Sequence, residues 1–340
     1  MAIELLDTRT MIGLTTKKKP FMPFLLSAFF PREITFTTKK VDLEKVIKSN
    51  RLAPLVSPVV AGRVMQKDGG TLMSLQPAYV KPKDVIDPDD VIERMAGEDV
   101  GGSLTADQRA LALKAKYLKE HEEAILRREE WMAACLLVDG KFTLEGEDYP
   151  KVEVDFKRSA ANTPDVSGGG RDWSTLAKNS TIPEDDLEDW MTRATNPIDI
   201  MIMNNKTYRV FTSFDSVKEK LKEQSGSKTT LETAAFNGKL IAYMGNYGEV
   251  EVWVYTGTYE DEAGAEQKFI PDGRIVMANR ASEGVRLYGA ILDPRAGYQA
   301  LRRFPKNWIS EDPAAEFIMT QSSPLVCMPD PDEIVSAKVY

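Results

Sequence analysis

A chain of 340 residues with 52 acidic and 44 basic side chains carries a formal net charge of −8. That balance argues against a surface built to grip a nucleic-acid backbone, which needs a basic face. Two cysteines, Cys135 and Cys327, give no disulfide framework and fit a reducing compartment, and the length allows two domains or one elongated one.

The chain opens with an arm. Its basic run, Lys17-Lys18-Lys19, reads either as a local contact or as a solubilising stretch. The apolar run from Pro20 to Phe30 is far short of the ~20 residues of a membrane span, and Pro31 ends it. It also sits too far from the start, and lacks the small-residue end, of a signal peptide. It therefore reads as an arm that buries apolar side chains against another surface, its own domain or a neighbour.

Val56 to Lys83 reads as two extended stretches either side of Asp68-Gly69-Gly70, whose glycines supply turn chemistry. Arms of about ten residues at ~3.3 Å per residue make a ribbon of roughly 30 Å. Pro58, Pro77 and Pro82 suit edge strands. A free two-stranded ribbon is marginal in water. It is therefore expected to lie on a neighbouring molecule, with Asp68, Gly69 and Gly70 as an inter-subunit hairpin tip.

Leu104 to Leu137 holds neither Pro nor Gly and predicts one helix. At ~1.5 Å per residue it is a rod of roughly 50 Å, several times the length of an average globular helix. Thr105 and Gln108 have the spacing of a capping box, and Asp139-Gly140 stops the run. Leu111, Leu118, Ile125 and Met132 recur one heptad apart, with Tyr117, Ala124 and Trp131 beside them. Lys114, His121 and Arg128 interrupt the stripe, which excludes a clean coiled-coil seam. Two readings stand: a helix lying across its own domain's sheet, or one whose exposed length also contacts neighbouring subunits.

Beyond the helix the chain changes character. Val152 to Phe156 alternates as a strand, and Ala160 to Gly170 is a polar linker. Pro183 to Ala194 reads as a short helix with acids in its first turn. Ile198, Ile200 and Ile202 alternate as a strand, and Ser216 with Glu219 offers a second capping box for a helix through Leu221. Val250, Val252 and Val254 mark another strand, followed by a hairpin around Glu260–Gly264 and a turn at Pro271-Asp272-Gly273. Ile334 to Tyr340 closes the chain as a strand, and no internal repeat is found.

Signals for chemistry are thin. The one histidine, His121, has no local Ser or Cys partner for nucleophilic catalysis. One His and two distant Cys do not make the usual zinc site. The acids Glu184, Asp185, Asp186, Glu188 and Asp189 read as a solvated helix start, or alternatively as oxygen ligands for a divalent cation. Gly168-Gly169-Gly170 lacks the Lys-Ser/Thr ending of a phosphate loop. No catalytic residue, cofactor or metal site is assigned.

The order of parts carries a resemblance. The residues are Phe36 to Val41, Val56 to Gly62, Tyr79 to Lys83, Val152 to Phe156, Phe214 to Leu221, Arg286 to Gly289 and Pro305 to Trp308. Gln321 to Leu325 and Pro329 to Glu333 complete the set. Taken in order over essentially the whole chain, they resemble the major capsid proteins of lambda-like tailed phages, with the Hong Kong 97-like capsid fold.

The resemblance implies an α+β fold: residues 1–52 as N-terminal arm and lead-in, and 53–88 as an extended hairpin, the E-loop. Residues 89–158 would form a peripheral domain with its spine helix over 104–137, and 159–319 an α/β axial domain. Residues 320–340 would return to the peripheral domain. It further implies subunits that form hexamers and pentamers of an icosahedral head enclosing DNA without sequence-specific binding, with a portal at one vertex. Too few residues precede the hairpin for a built-in scaffolding segment, so a separate scaffolding protein is implied. Trimers of a decoration protein would meet residues 1–35 and the Asp68–Gly70 region, and cementing would be non-covalent. The competing readings are a metal-dependent hydrolase using residues 184–189, and a phage structural component that is not a capsid protein.

Overall fold

The computed structural model describes residues 21–38, 40–47, 69–93, 104–146, 149–218, 240–311 and 314–340. The long helix, α3 (Ala106–Asp139), follows two short ones, α1 (Phe24–Phe29) and α2 (Pro88–Ile92). Thr105 is its N-cap, accepting from the Gln108 amide at 3.3 Å while Gln108 accepts from the Thr105 amide at 2.9 Å. Two otherwise orphaned N–H groups are satisfied reciprocally, as the spacing predicts. At the far end Gly140 adopts φ +70°, the left-handed conformation that closes helices, and donates to Leu136 O at 3.0 Å.

A five-stranded sheet is the second major element. Its strands, in the order they lie, are β17 (Val335–Lys338), β12 (Arg274–Ala278), β7 (Ile200–Met203), β9 (Val250–Tyr255) and β8 (Ile241–Tyr247). Strand β7 reads Ile-Met-Ile-Met with every residue buried, because both faces of the sheet are covered. Ile200, Ile202, Val276 and Ala278 face the core shared with α3. Met201, Met203, Ile275, Met277, Val335 and Ala337 face a second core, which also holds α4 (Ile182–Met191) and α5 (Asn205–Phe211). The side-chain period of two sorts each strand between the two cores.

Two three-stranded sheets pack on α3. One runs β1 (Arg32–Thr35), β13 (Val285–Tyr288), β16 (Pro324–Cys327); the other runs β14 (Phe304–Glu311), β15 (Ala314–Gln321), β4 (Lys83–Ile86). Ribbons join β2 (Val41–Ile47) to β3 (Gly69–Leu75), β5 (Lys141–Gly146) to β6 (Tyr149–Asp155), and β10 (Thr258–Glu260) to β11 (Glu266–Lys268).

Three expectations need correction. Gly69 and Gly70 are not a turn: they pair with Ile47 and Val46 inside the β2–β3 ladder. Glycine tolerates extended backbone as readily as turns, and the ribbon's first strand starts at Val41 rather than near Val56. Asp68 and the connection through residues 48–68 lie outside the described residues. Strand β4 is not part of the free ribbon, since it pairs antiparallel with β15 beside α3. The last residues also do not belong to one sheet or one face of the helix: β15 and β16 pack on α3, whereas β17 adds to the edge of the five-stranded sheet, with Val335 opposite Met277, while still touching α3. Partner choice is set by which apolar face a strand can complete, and that is a long-range property. A helical turn covers residues 215–218, and the rest of the second capping-box prediction lies outside the described residues.

Candidate functional site

Helix α3 has two halves with different surroundings. Of the heptad residues, Ile125 and Met132 are 0% exposed, Leu118 is half-buried and Leu111 is 68% exposed. The C-terminal half is enclosed nearly all round, by Ala133, Ala134, Leu136, Leu137 and Val138 as well. The N-terminal half leaves an open groove of about 380 Å³ lined by Leu111, Lys114, Ala115, Leu118, Pro305, Lys306, Asn307 and Ile318. Ile92 and Ile309 are also exposed large apolar side chains, at 71% and 75%. The stripe is thus core in one half and available surface in the other.

Two successive glutamates on α3, Glu129 and Glu130, are buried and turned to different partners. Glu130 accepts from the Leu25 and Leu26 amides at 2.8 and 2.9 Å and from the Tyr255 hydroxyl at 3.0 Å. Burial pushes its carboxyl up to about 7 despite those donors. Glu129 pairs with Arg303 at 2.9 Å and accepts from the Tyr288 hydroxyl at 3.2 Å. Burial again raises its pKa, with the Arg303 guanidinium opposing. The chain of charge continues outward: Arg303 to Glu122 at 2.7 Å, Arg302 to Glu122 at 3.6 Å and to Glu33 at 3.2 Å, and Glu33 to Arg286 at 3.1 Å. The network ties the N-terminal arm, the long helix and β13 into one junction.

The helix end is equally well secured. The Arg158 guanidinium donates to the carbonyls of Leu137 at 3.0 Å and Val138 at 3.3 Å, and also to that of Leu136. The Leu137 and Val138 carbonyls are among those a helix end leaves unpaired, while that of Leu136 also accepts from the Gly140 amide. Burial lowers the Arg158 pKa to about 10, and Arg274 pairs with Asp139 at 3.0 Å.

The residues weighed for chemistry are occupied by structure. His121 is buried, with Nε2 at 2.8 Å from Asp84 Oδ2 and Nδ1 at 3.1 Å from Thr320 Oγ1, so it stitches α3 to β4 and β15. Asp186 accepts from Trp173 Nε1 at 3.0 Å and pairs with Arg171, and Asp189 pairs with Arg193. Glu184 accepts from the Tyr247 hydroxyl at 3.2 Å. Among the described residues no group of three His, Cys, Asp or Glu is arranged to hold a metal ion, and no helix is long and apolar enough to cross a membrane. Cys327 is buried and Cys135 partly so, and burial pushes both thiols up to about 12. The apolar arm docks on its own chain, with Leu25, Leu26, Phe29 and Phe30 buried in the core beside Met132.

Sequence reasoning missed Glu33, Glu129, Glu130, Arg286, Arg302 and Arg303. A signal was present: Arg127-Arg128-Glu129-Glu130 abuts the apolar final stretch of the helix, and Arg302-Arg303 directly precedes a strand. Charges in such places need buried partners.

Comparison with known proteins bears on the assembly reading. A family model described as phage major capsid protein E matches residues 7–339. The major capsid protein of Escherichia phage lambda is 37% identical over 342 residues, covering 99% of this chain and 100% of that protein. That of Enterobacteria phage phi80 is 36% identical, covering 98% of each. A solved prophage protein from Escherichia coli CFT073, described as a capsid protein, superposes with a TM-score of 0.73 at 26% identity over 100% of both chains. The capsid of phage XM1 shares the fold alone, at a TM-score of 0.53 and 10% identity over 100% of this chain and 99% of that one. The chain belongs to the phage major capsid protein E family.

Proposed function

We propose that this protein is the major head subunit of a tailed phage or prophage, forming hexamers and pentamers that close into an icosahedral shell around double-stranded DNA. The observation that carries the reading is the full-length relationship to capsid proteins. Two features of the subunit support it. Among the described residues the ribbon β2–β3 pairs only with itself, and a ribbon of that kind is marginal in water without a surface to lie on. The first half of α3 presents apolar side chains and a groove to its surroundings.

In this reading α3 is the spine of the peripheral domain and the five-stranded sheet belongs to the axial domain. Residues around Asp68, Gly69 and Gly70, at the far part of the ribbon, contact a neighbouring subunit. Head-to-tail contacts that close by rotation give rings. A separate scaffolding protein, decoration-protein trimers and a portal at one vertex are the partners the resemblance implies, and the role is mechanical rather than catalytic. The acids at 184–189 offer the hydrolase alternative little, since Glu184, Asp186 and Asp189 are engaged by Tyr247, Trp173, Arg171 and Arg193.

Negative-stain electron microscopy of the protein co-expressed with its neighbouring head genes tests this. Closed shells are expected. Tubes or open rings would favour a different phage structural component, and persistent absence of any assembly with the scaffold present would overturn the proposal.

A further inference from the structure

Residues 21–30 carry no ionisable side chain, yet the short helix they form is held by charge at both ends. At its start Glu130 of α3 accepts from the Leu25 and Leu26 amides at 2.8 and 2.9 Å. At its end Arg286 Nε donates to the Phe30 carbonyl at 2.9 Å. A negative group at the start and a positive group at the end both complement the helix dipole. Six residues are too few for a helix to persist alone, so docking is what forms it.

Gly284 shows how closely the far end is fitted, since a Cβ there would lie 2.1 Å from the Phe29 carbonyl oxygen. At the near end Phe24 packs against Trp253 and Tyr255, with ring centroids 5.4 and 5.7 Å away.

We propose that residues 21–30 form a pH-sensitive clasp, closed on the long helix by Glu130 and Arg286 and loosened as the medium becomes alkaline. The Glu130 carboxyl is 0% exposed. With a proton on Oε1 it can donate to the Tyr255 hydroxyl oxygen while Oε2 still accepts from the Leu26 amide. Once ionised it is a buried charge with no cation paired to it among the described residues. Opening the clasp exposes it to water, where it titrates near 4.5, whereas in the closed state burial holds it at about 7. The closed state binds the proton more tightly. Closure is therefore favoured in full below about 4.5 and is lost as pH rises through about 7.

The surrounding groups leave Glu130 as the one positioned to act. The arm contributes only amides, and β9 contributes the Tyr255 hydroxyl, pushed far above its ordinary value by burial and by Glu130. Glu251 on the same strand pairs with Arg280. From β13, Tyr288 is bonded to Glu129 and Arg286 is paired with Glu33. Strand β16 brings Cys327, whose thiol burial holds up to about 12. On α3 itself, Glu129 is paired with Arg303, and the Arg127 guanidinium lies over the Phe21 ring at 4.9 Å.

Hydrogen exchange on the purified full chain tests the clasp, read as protection factors normalised for the intrinsic pH dependence of exchange. Protection across residues 21–30 should fall by on the order of tenfold to a hundredfold between about pH 5 and about pH 8. Glu130→Gln removes the ionisation and keeps one of the two acceptor oxygens, so its protection should be lower at acid pH but flat over that range. Arg286→Met should lower protection at every pH without moving the midpoint. A wild-type change smaller than about twofold would overturn the proposal, and so would a Glu130→Gln variant that keeps the wild-type pH profile.

Discussion

Truncating the heptad residues of α3 one at a time should separate folding from assembly. Ile125 is 0% exposed, so Ile125→Ala loses both its transfer free energy and the contacts around the cavity left behind, about 2–5 kcal/mol in all. Leu111 is 68% exposed, so about a third of its area is already out of water. Full burial of such a side chain stabilises by about 1.5–3 kcal/mol, so Leu111→Ala should cost the isolated subunit only about 0.5–1 kcal/mol. Denaturant unfolding of unassembled subunits reads both quantities, as midpoint shifts at constant slope. Shell yield on sedimentation, with the scaffold co-expressed, reads assembly. Leu111→Asp should leave the subunit folded and depress shell yield, because it places a charge on the open groove beside Leu118 and Ile318. If Leu111→Ala destabilised the lone subunit by more than about 2 kcal/mol, the division of the helix into core and surface would be wrong. If Leu111→Asp assembled normally, the groove would not be a subunit contact.

Other substitutions test the polar junction and the helix end. Gly140→Ala meets both a φ of +70° and the Arg158 Cβ at 3.0 Å, so it should cost about 1–2 kcal/mol or more in thermal or denaturant unfolding. Arg303→Met strands the buried Glu129 and should cost about 3–5 kcal/mol; Glu129→Met combined with Arg303→Met should recover much of that loss in a double-mutant cycle. Asp293 is held down to about 2 by Lys306, with the Arg295 amide and Gln321 also donating. The stability it adds is present above its ordinary value of 3.8 and lost as pH falls towards about 2. Asp293→Asn should therefore flatten the acid limb of the stability curve between those values.

What was legible in the chain was local. The capping box at Thr105 and Gln108 and the stop at Gly140 bound α3 to within two residues at each end, because those signals sit inside the element they terminate. The alternation of Val250, Val252 and Val254 marks a strand with one face in the second core. The docking of the apolar arm on its own chain was one of two open readings. Along the heptad stripe Ile125 and Met132 are core and Leu111 is exposed, a difference no single apolar face in the sequence advertises where the helix is buried all round. What was not legible depends on contacts distant in sequence. No periodicity in Val335 to Lys338 says that the strand will join β12, and nothing local to Glu130 says that its partners are Leu25 and Leu26. The glycines at 69 and 70 misled for a different reason: the same backbone freedom that permits a turn permits a strand.

The five-stranded sheet connects these observations to a load-carrying role. It is a common wall: Ile200, Ile202 and Val276 face the core with α3 and the arm, and Met201, Met203 and Ile275 face the core with α4 and α5. Close-packed interiors have low compressibility, so a force on one face is transmitted to the other rather than absorbed. The buried half of α3 therefore moves with the sheet, while its other half, with exposed Leu111 and half-buried Leu118, is left to meet whatever lies outside the subunit. At the join between the two, the charged network from Glu33 through Arg302, Glu122 and Arg303 to Glu129 holds the arm against the helix. Such pairs are directional where apolar contacts are not, so they fix the arm's position along the helix as well as its attachment. In the proposed shell, a subunit made this way passes strain through α3 while its two cores stay intact.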